Sequence, residues 1–221
     1  MSAGASLDLA TALDDGVRAM DLALDANTRR KLLDYVALLL KWNRVYNLTA
    51  VREPLEVITH HVLDSLSLLS PLLRHTQGRP TRVLDVGSGG GLPGVVLAIC
   101  RPELDVTCVD AVAKKAAFIQ QVAGALALGR LHGVHARVET LSQTWPVITS
   151  RAFASLADFT LWSESALAAD GVWLAMKGKH PDQELAELPA KVRVFHVEPL
   201  QVPGLDAQRC LVWMGRSGQA S

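Results

Sequence analysis

Asp85-Val86-Gly87-Ser88-Gly89-Gly90-Gly91-Leu92-Pro93-Gly94 is the stretch whose reading decides the fold. It follows Arg82 to Val86, a short β-branched run that reads as a strand, and opens Gly94 to Cys100, which reads as a helix. Pro93 stands near the first turn of that helix, where a missing N–H costs little. Glycines here let the chain turn tightly and let ligand atoms approach the backbone with no Cβ in the way. The N–H groups exposed at a helix start favour a negative group on the ligand.

Two cofactor classes compete for such a loop. Gly89-x-Gly91-x-x-Gly94 satisfies the dinucleotide fingerprint, so a nicotinamide or flavin enzyme has to be weighed. Asp85 tips the balance. A carboxylate two residues before the first glycine sits poorly beside a pyrophosphate, but suits the ammonium of a methionine moiety. Asp-x-Gly-x-Gly-x-Gly is the pattern of S-adenosylmethionine enzymes, and it places Asp85, Gly87, Ser88, Gly89 and Gly91 at the cofactor. Asp110 closes the next strand at the distance expected of an acid that accepts hydrogen bonds from ribose hydroxyls. Val138-Glu139, after the third strand, offers a rest for adenine.

Working outward, strands are expected at Asp105 to Asp110, Leu131 to Arg137, Val147 to Arg151 and Gly171 to Met176. Helical stretches at Ala113 to Ala127 and Leu156 to Ala168 alternate with them, which implies a parallel sheet covered on both faces. Val192 to Val197 and Cys210 to Met214 lack a helix between them and should pair antiparallel at one sheet edge. The expected fold class is therefore α/β: a Rossmann-like, class I methyltransferase sheet of seven strands, mostly parallel, with an antiparallel C-terminal edge pair. The first 80 residues read as an N-terminal helical segment packed on that core, and residues 81–221 as the methyltransferase domain. Leu32, Leu33, Val36, Leu39 and Leu40 recur at helical spacing behind Asn27-Thr28 as cap, and Val57, Ile58, Val62, Leu63, Leu66 and Leu69 form a second amphipathic stretch. Arg74 to Thr81 reads as a polar loop, and Trp42 and Tyr46 read as core.

Composition narrows the function classes. The formal net charge is zero, which speaks against a tight, sequence-blind nucleic-acid binder but leaves room for a local basic face. Cys100, Cys108 and Cys210 have neither zinc-ribbon nor redox spacing and read as small buried residues in a reducing compartment. No metal site is expected. The N-terminal stretch is acidic (Asp8, Asp14, Asp15, Asp21) where a signal peptide would be basic, and no apolar run approaches the ~18 residues of a membrane span. A cytoplasmic protein, with no sign of an obligate dimer, is the expectation.

The chain resembles the rRNA small-subunit methyltransferase G family (RsmG, also called GidB). The strings that carry the resemblance are Lys41-Trp42-Asn43, Asn47-Leu48-Thr49, Val51-Arg52, His61-Val62-Leu63-Asp64-Ser65, Gly91-Leu92-Pro93-Gly94, Ser150-Arg151-Ala152-Phe153-Ala154-Ser155, Met176-Lys177-Gly178 and a tail with Val202-Pro203, Leu205-Asp206 and Arg209. The resemblance implies transfer of a methyl group from S-adenosylmethionine to N7 of guanine 527 in 16S rRNA. Cofactor contacts carry over to Gly87, Leu92, Val138 with Glu139, and Arg151. The rivals are a methyltransferase for another RNA or a small molecule and, further off, an NAD-dependent oxidoreductase. Three positions depart from the family pattern: Gly90 for a frequent proline, Ala111 for a frequent serine and Cys210 for a frequent histidine.

Guanine N7 has an exposed lone pair and needs no proton removed before it attacks a sulfonium methyl. The work is therefore alignment, with no catalytic residue assigned and Arg151, at the end of the fourth strand, as the positioning candidate. Arg52, His61, Lys177 and Lys179 are the candidates for contacting the RNA partner, 16S rRNA within the small ribosomal subunit or its assembly intermediate.

Overall fold

Five parallel strands form the centre of the computed structural model, which describes residues 3–218. They are β1 (Arg82–Val86), β2 (Asp105–Asp110), β3 (Leu131–His135), β4 (Trp145–Arg151) and β5 (Leu167–Lys177). β7 (Cys210–Arg216) runs antiparallel between β5 and β6 (Val192–Pro199), giving the order β3-β2-β1-β4-β5-β7-β6. The seven-stranded sheet with its antiparallel edge pair is the expected one. Every β1 residue after Arg82 is buried, as a strand covered on both faces requires. Successive side chains serve opposite layers: Val83 joins one apolar cluster, while Leu84 and Val86 join the other.

The helices that follow the strands are α6 (Gly94–Cys100) after β1, α7 (Ala113–Ala125) after β2 and α8 (Leu156–Ser163) after β4, with the short α9 (Asp182–Ala186) after β5. Ahead of the sheet come α1 (Ala3–Ala19), α2 (Ala26–Tyr46), the one-turn α3 (Pro54–Val57), a π-helical stretch Ile58–Leu63, α4 (Asp64–Leu66) and α5 (Leu69–Thr76). Leu13, Leu32, Tyr35 and Leu39 from α1 and α2 share one core with Val83, Val106 and Phe118, so the N-terminal helices complete the layer on that face of the sheet.

The N-terminal segment also holds the glycine loop. Tyr35 is fully buried, and its hydroxyl donates to the Gly90 carbonyl oxygen at 2.7 Å. The freedom that glycine in place of proline gives position 90 is countered by this bond and by Leu39, against which a Gly90 Cβ would press.

Several boundaries differ from expectation. The cap of α2 is Asp25, whose carboxylate accepts the Thr28 N–H at 2.6 Å, not Asn27-Thr28. Arg74, His75 and Thr76, read as loop from their polarity, belong to the last turn of α5, where basic side chains suit the carbonyl end of the helix. That helix stops at Gln77 and Gly78, both with positive φ. β3 ends two residues earlier than expected. β5 begins at Leu167, inside a stretch read as helix, because α8 ends at Ser163 and a 3-10 turn intervenes. Trp42 packs on Phe118 as a core residue should, but Tyr46 is 38% exposed at the end of α2.

Candidate functional site

The sheet order reverses between β1 and β4, the place where open α/β sheets leave a crevice beyond their carboxyl ends. A cavity of about 280 Å³ opens there, walled by Gly87, Asp110, Val138, Glu139, Phe153 and Trp162 among others. Gly87 turns the chain at φ +65°, and the Phe153 ring lies where its Cβ would be, so any side chain at 87 would collide with that ring. Phe153 meets Trp162 edge to face at 5.7 Å, and these two rings make an aromatic wall. Ala152 before it has φ +52°, an uncommon conformation for a residue with a Cβ, which turns the chain sharply as it leaves β4.

Asp110 is the hub of this wall. One of its carboxylate oxygens accepts the Gly89 N–H at 3.0 Å and the other the Val112 N–H at 2.9 Å, with Lys115 Nζ 3.7 Å away. It thus ties the glycine loop after β1 to the start of α7 after β2. Four of the residues expected at the cofactor, Gly87, Asp110, Val138 and Glu139, line the cavity. Ser88, Gly89, Gly91 and Leu92 lie in the loop behind its wall, Ser88 and Leu92 being buried.

Asp85 is also off the wall. It is fully buried beneath the loop, where Oδ2 accepts the Gly94 N–H at 2.8 Å and Oδ1 has no partner. In this arrangement it braces the loop and does not line the cavity. Burial pushes its carboxyl up to about 7, against the opposing pull of the Gly94 N–H and the Arg151 cation. His61 is moved the other way. Burial, then the nearby Arg151 cation, push it down to about 4, and its ring is held neutral, with Nδ1 donating to the His60 carbonyl at 2.9 Å and Nε2 accepting from the Thr49 hydroxyl at 2.6 Å.

These two groups make a testable pair. Between about pH 4 and the ordinary histidine value of 6.5, unfolding adds a proton to His61, so this group makes stability rise with pH. From the ordinary aspartate value of 3.8 to about 7, unfolding releases the Asp85 proton, so that group makes stability fall as pH rises. The slopes, each about 1.4 kcal/mol per pH unit, cancel in the shared window. Asp85→Asn should remove one of them. Urea titrations of this variant between pH 4.5 and 6.5 should show stability climbing with pH more steeply than in the parent, and parallel profiles would contradict the assignment.

Arg151 does not reach the cavity. Its guanidinium donates to Asp64 Oδ2 at 2.7 Å and to the His60 carbonyl at 2.8 Å. The other Asp64 oxygen accepts from Arg209 Nε at 2.9 Å, so one buried carboxylate joins the start of α4 to the end of β4 and to the residue before β7. Of the four candidates for RNA contact, two have their side chains engaged within the protein. His61 is buried and turned inward. Lys177 Nζ is committed to the Ala154 carbonyl at 2.9 Å and to Glu184 at 2.7 and 3.0 Å, while Glu184 also accepts the Leu156 N–H at the start of α8. That is a structural clamp. Arg52 and Lys179 are exposed.

With this geometry in view, the relatives are informative. The family model "GidB: rRNA small subunit methyltransferase G" matches residues 28–212. The chain belongs to the rRNA small subunit methyltransferase G family. Proteins called ribosomal RNA small subunit methyltransferase G from Acidovorax ebreus and a Polaromonas species are 60% and 63% identical to this family member, over 97% and 90% of it and 98% and 90% of their own lengths. Among solved structures, TrmN from Thermus thermophilus superposes with a TM-score of 0.54 at 20% identity, over 76% of this chain and 55% of that one. The glycopeptide N-methyltransferase MtfA complexed with sinefungin gives 0.59 at 13%, over 72% and 88%. Both likenesses establish the methyltransferase fold alone.

Phe153, Trp162, Lys115 and Arg137 line the cavity of this family member without having been expected there. Phe153 follows Arg151 by two residues in a string already noted, and its place after a crevice strand was the available signal. Trp162 stands beside Leu161 as one of two exposed large apolar side chains on α8. Ala111, noted as a departure, lies on the cavity wall, whereas Cys210 is a buried thiol donating weakly to the Lys179 carbonyl.

Proposed function

We propose that the chain transfers a methyl group from S-adenosylmethionine to N7 of guanine 527 in 16S rRNA, within the small ribosomal subunit or an assembly intermediate, in the cytoplasm. The observation that carries the reading is the composition of the cavity in a member of this family. Val86, Val138, Phe153 and Trp162 offer an apolar and aromatic slot for adenine, and Asp110 and Glu139 offer carboxylates for its polar edge and for ribose hydroxyls. Asp110 has lone pairs to spare beyond the two backbone N–H groups it already accepts. The cofactor supplies an electrophilic methyl on a sulfonium; on transfer the sulfur becomes a neutral thioether and the base takes the positive charge. No proton leaves N7, so this chain has only to bind, orient and exclude water.

The buried, neutral His61 fits that requirement, since its ring nitrogens are both engaged within the protein. Arg151, by fixing Asp64 and the His60 carbonyl, holds the π-helical segment against the end of β4 and acts as a positioning residue. Single-turnover methyl transfer with both substrates bound should be nearly flat from about pH 6 to 9, because no essential proton transfer titrates there. A bell-shaped profile, or a fall below a histidine-like value that persists in Asp85→Asn and so is not the titration of the buried carboxyl beneath the loop, would require a general base and overturn the N7 reading.

A further inference from the structure

On the N-terminal side of the molecule, α2 and the segment leading into α3 enclose a groove of about 470 Å³. Ala37, Leu40, Lys41 and Arg44 form one stripe of α2 at three- and four-residue steps, and Arg52 and Pro54 form the facing wall. Lys41, Arg44 and Arg52 are exposed, and none of the three enters an ion pair among the described residues. Elsewhere the arginines of α2 are matched: Arg29 pairs with Asp14 and Arg30 with Asp34. Glu53 and Glu56 stand nearby in sequence, yet neither carboxylate pairs with a groove cation. In a chain of zero net charge, three unmatched cations around one groove are a local positive field.

The groove is also held in shape. Asn43, buried on α2, accepts the Thr49 N–H at 2.9 Å and donates to the Val51 carbonyl at 3.3 Å, pinning the segment that carries Arg52. Arg52 Nη2 donates to Asn47 Oδ1 at 3.1 Å, which directs the guanidinium. The same segment bonds through the Thr49 hydroxyl to His61, whose ring adjoins Arg151. A single rigid loop therefore connects the groove to the cluster at the end of β4.

We infer that this groove is a phosphate-binding track that anchors the sugar–phosphate backbone of the RNA substrate away from the reacting base. The inference rests on the RNA reading proposed above and adds to it a surface, Lys41 and Arg44 with Arg52, that the cofactor cavity does not contain. Ala37 and Leu40 form the floor, and the cations that converge above it suit successive phosphates.

The test compares the full-length parent with the triple variant Lys41→Gln, Arg44→Gln, Arg52→Gln, using a fluorescent 16S rRNA fragment across a salt series, S-adenosylmethionine calorimetry, and methyl incorporation into small subunits. Each phosphate contact contributes about 0.7–0.9 to the slope of log affinity against log salt. The triple variant should bind the fragment at least tenfold more weakly near 0.1 M salt, with a slope shallower by about two to three. Its cofactor affinity should be unchanged, and Arg29→Gln with Arg30→Gln should do little to RNA binding. If the triple variant fails to fold, Arg44→Gln and Arg52→Gln singly should each reduce the slope by about one. Parental affinity and slope in the variants would overturn the groove. A parent that binds RNA through the groove but transfers no methyl group would leave the groove standing and remove the activity reading. A parent that binds no RNA would overturn both.

Discussion

Asp64→Ala should destabilise the fold by about 3–5 kcal/mol, the largest loss expected from any single polar substitution in this chain. The carboxylate is 2% exposed and accepts from two arginines whose side chains are themselves mostly covered. Deleting it leaves Arg151 and Arg209 as uncompensated cations in a desolvated setting, which costs far more than the net worth of the pairs. It also cuts the link between the start of α4, the end of β4 and the residue before β7. Asp64→Asn keeps the shape and an acceptor for one guanidinium, so its loss should be smaller. Thermal unfolding checks both, and for a domain of this size the alanine variant should melt about 10 °C below the parent. A shift within a degree or two would show that the two arginines find other partners or water.

The second large effect is expected at Asp110. Asp110→Ala removes the acceptor for the Gly89 and Val112 N–H groups and, on the proposed function, the carboxylate that receives the ribose hydroxyls. Hydrogen bonds to a charged group contribute about 1.5–3 kcal/mol each, so cofactor affinity should drop on the order of 100-fold. Asp110→Asn retains an oxygen acceptor and should lose less. Calorimetry with S-adenosylmethionine and with its demethylated product checks this, and NAD should bind to neither parent nor variant. Undiminished affinity in Asp110→Ala would take the second strand's acid out of the cofactor site.

What the sequence made legible was local. The glycine loop could be placed because a strand, a turn at positive φ and a helix start constrain neighbouring residues, and Asp110 because the length of one strand–helix–strand unit fixes where its acid arrives. The edge pair was legible from two strands joined without a helix. What could not be read depends on contacts far apart in the chain. Asp64 and Arg209 are 145 residues apart, and nothing in either neighbourhood announces that they bond. Lys177 looked free because the Glu184 that occupies it lies beyond a turn whose fold was not predictable. Asp85 belongs to the pattern that pointed to the cofactor class, yet its side chain points beneath the loop, since a period-two strand sends alternate residues to opposite faces and the loop closes over this one. Residues 74–76 were misread because polar composition describes a solvated surface equally well in a loop and in a helix end.

The most direct test of the central claim is to incubate the purified protein with S-adenosylmethionine labelled in its methyl group and with small ribosomal subunits from a strain lacking the enzyme, then map the label on 16S rRNA. The label should fall on one nucleotide, guanine 527, modified at N7 and cleavable by chemistry specific for 7-methylguanosine. Label at an exocyclic amine, at a ribose hydroxyl, at another nucleotide or on a ribosomal protein would contradict it.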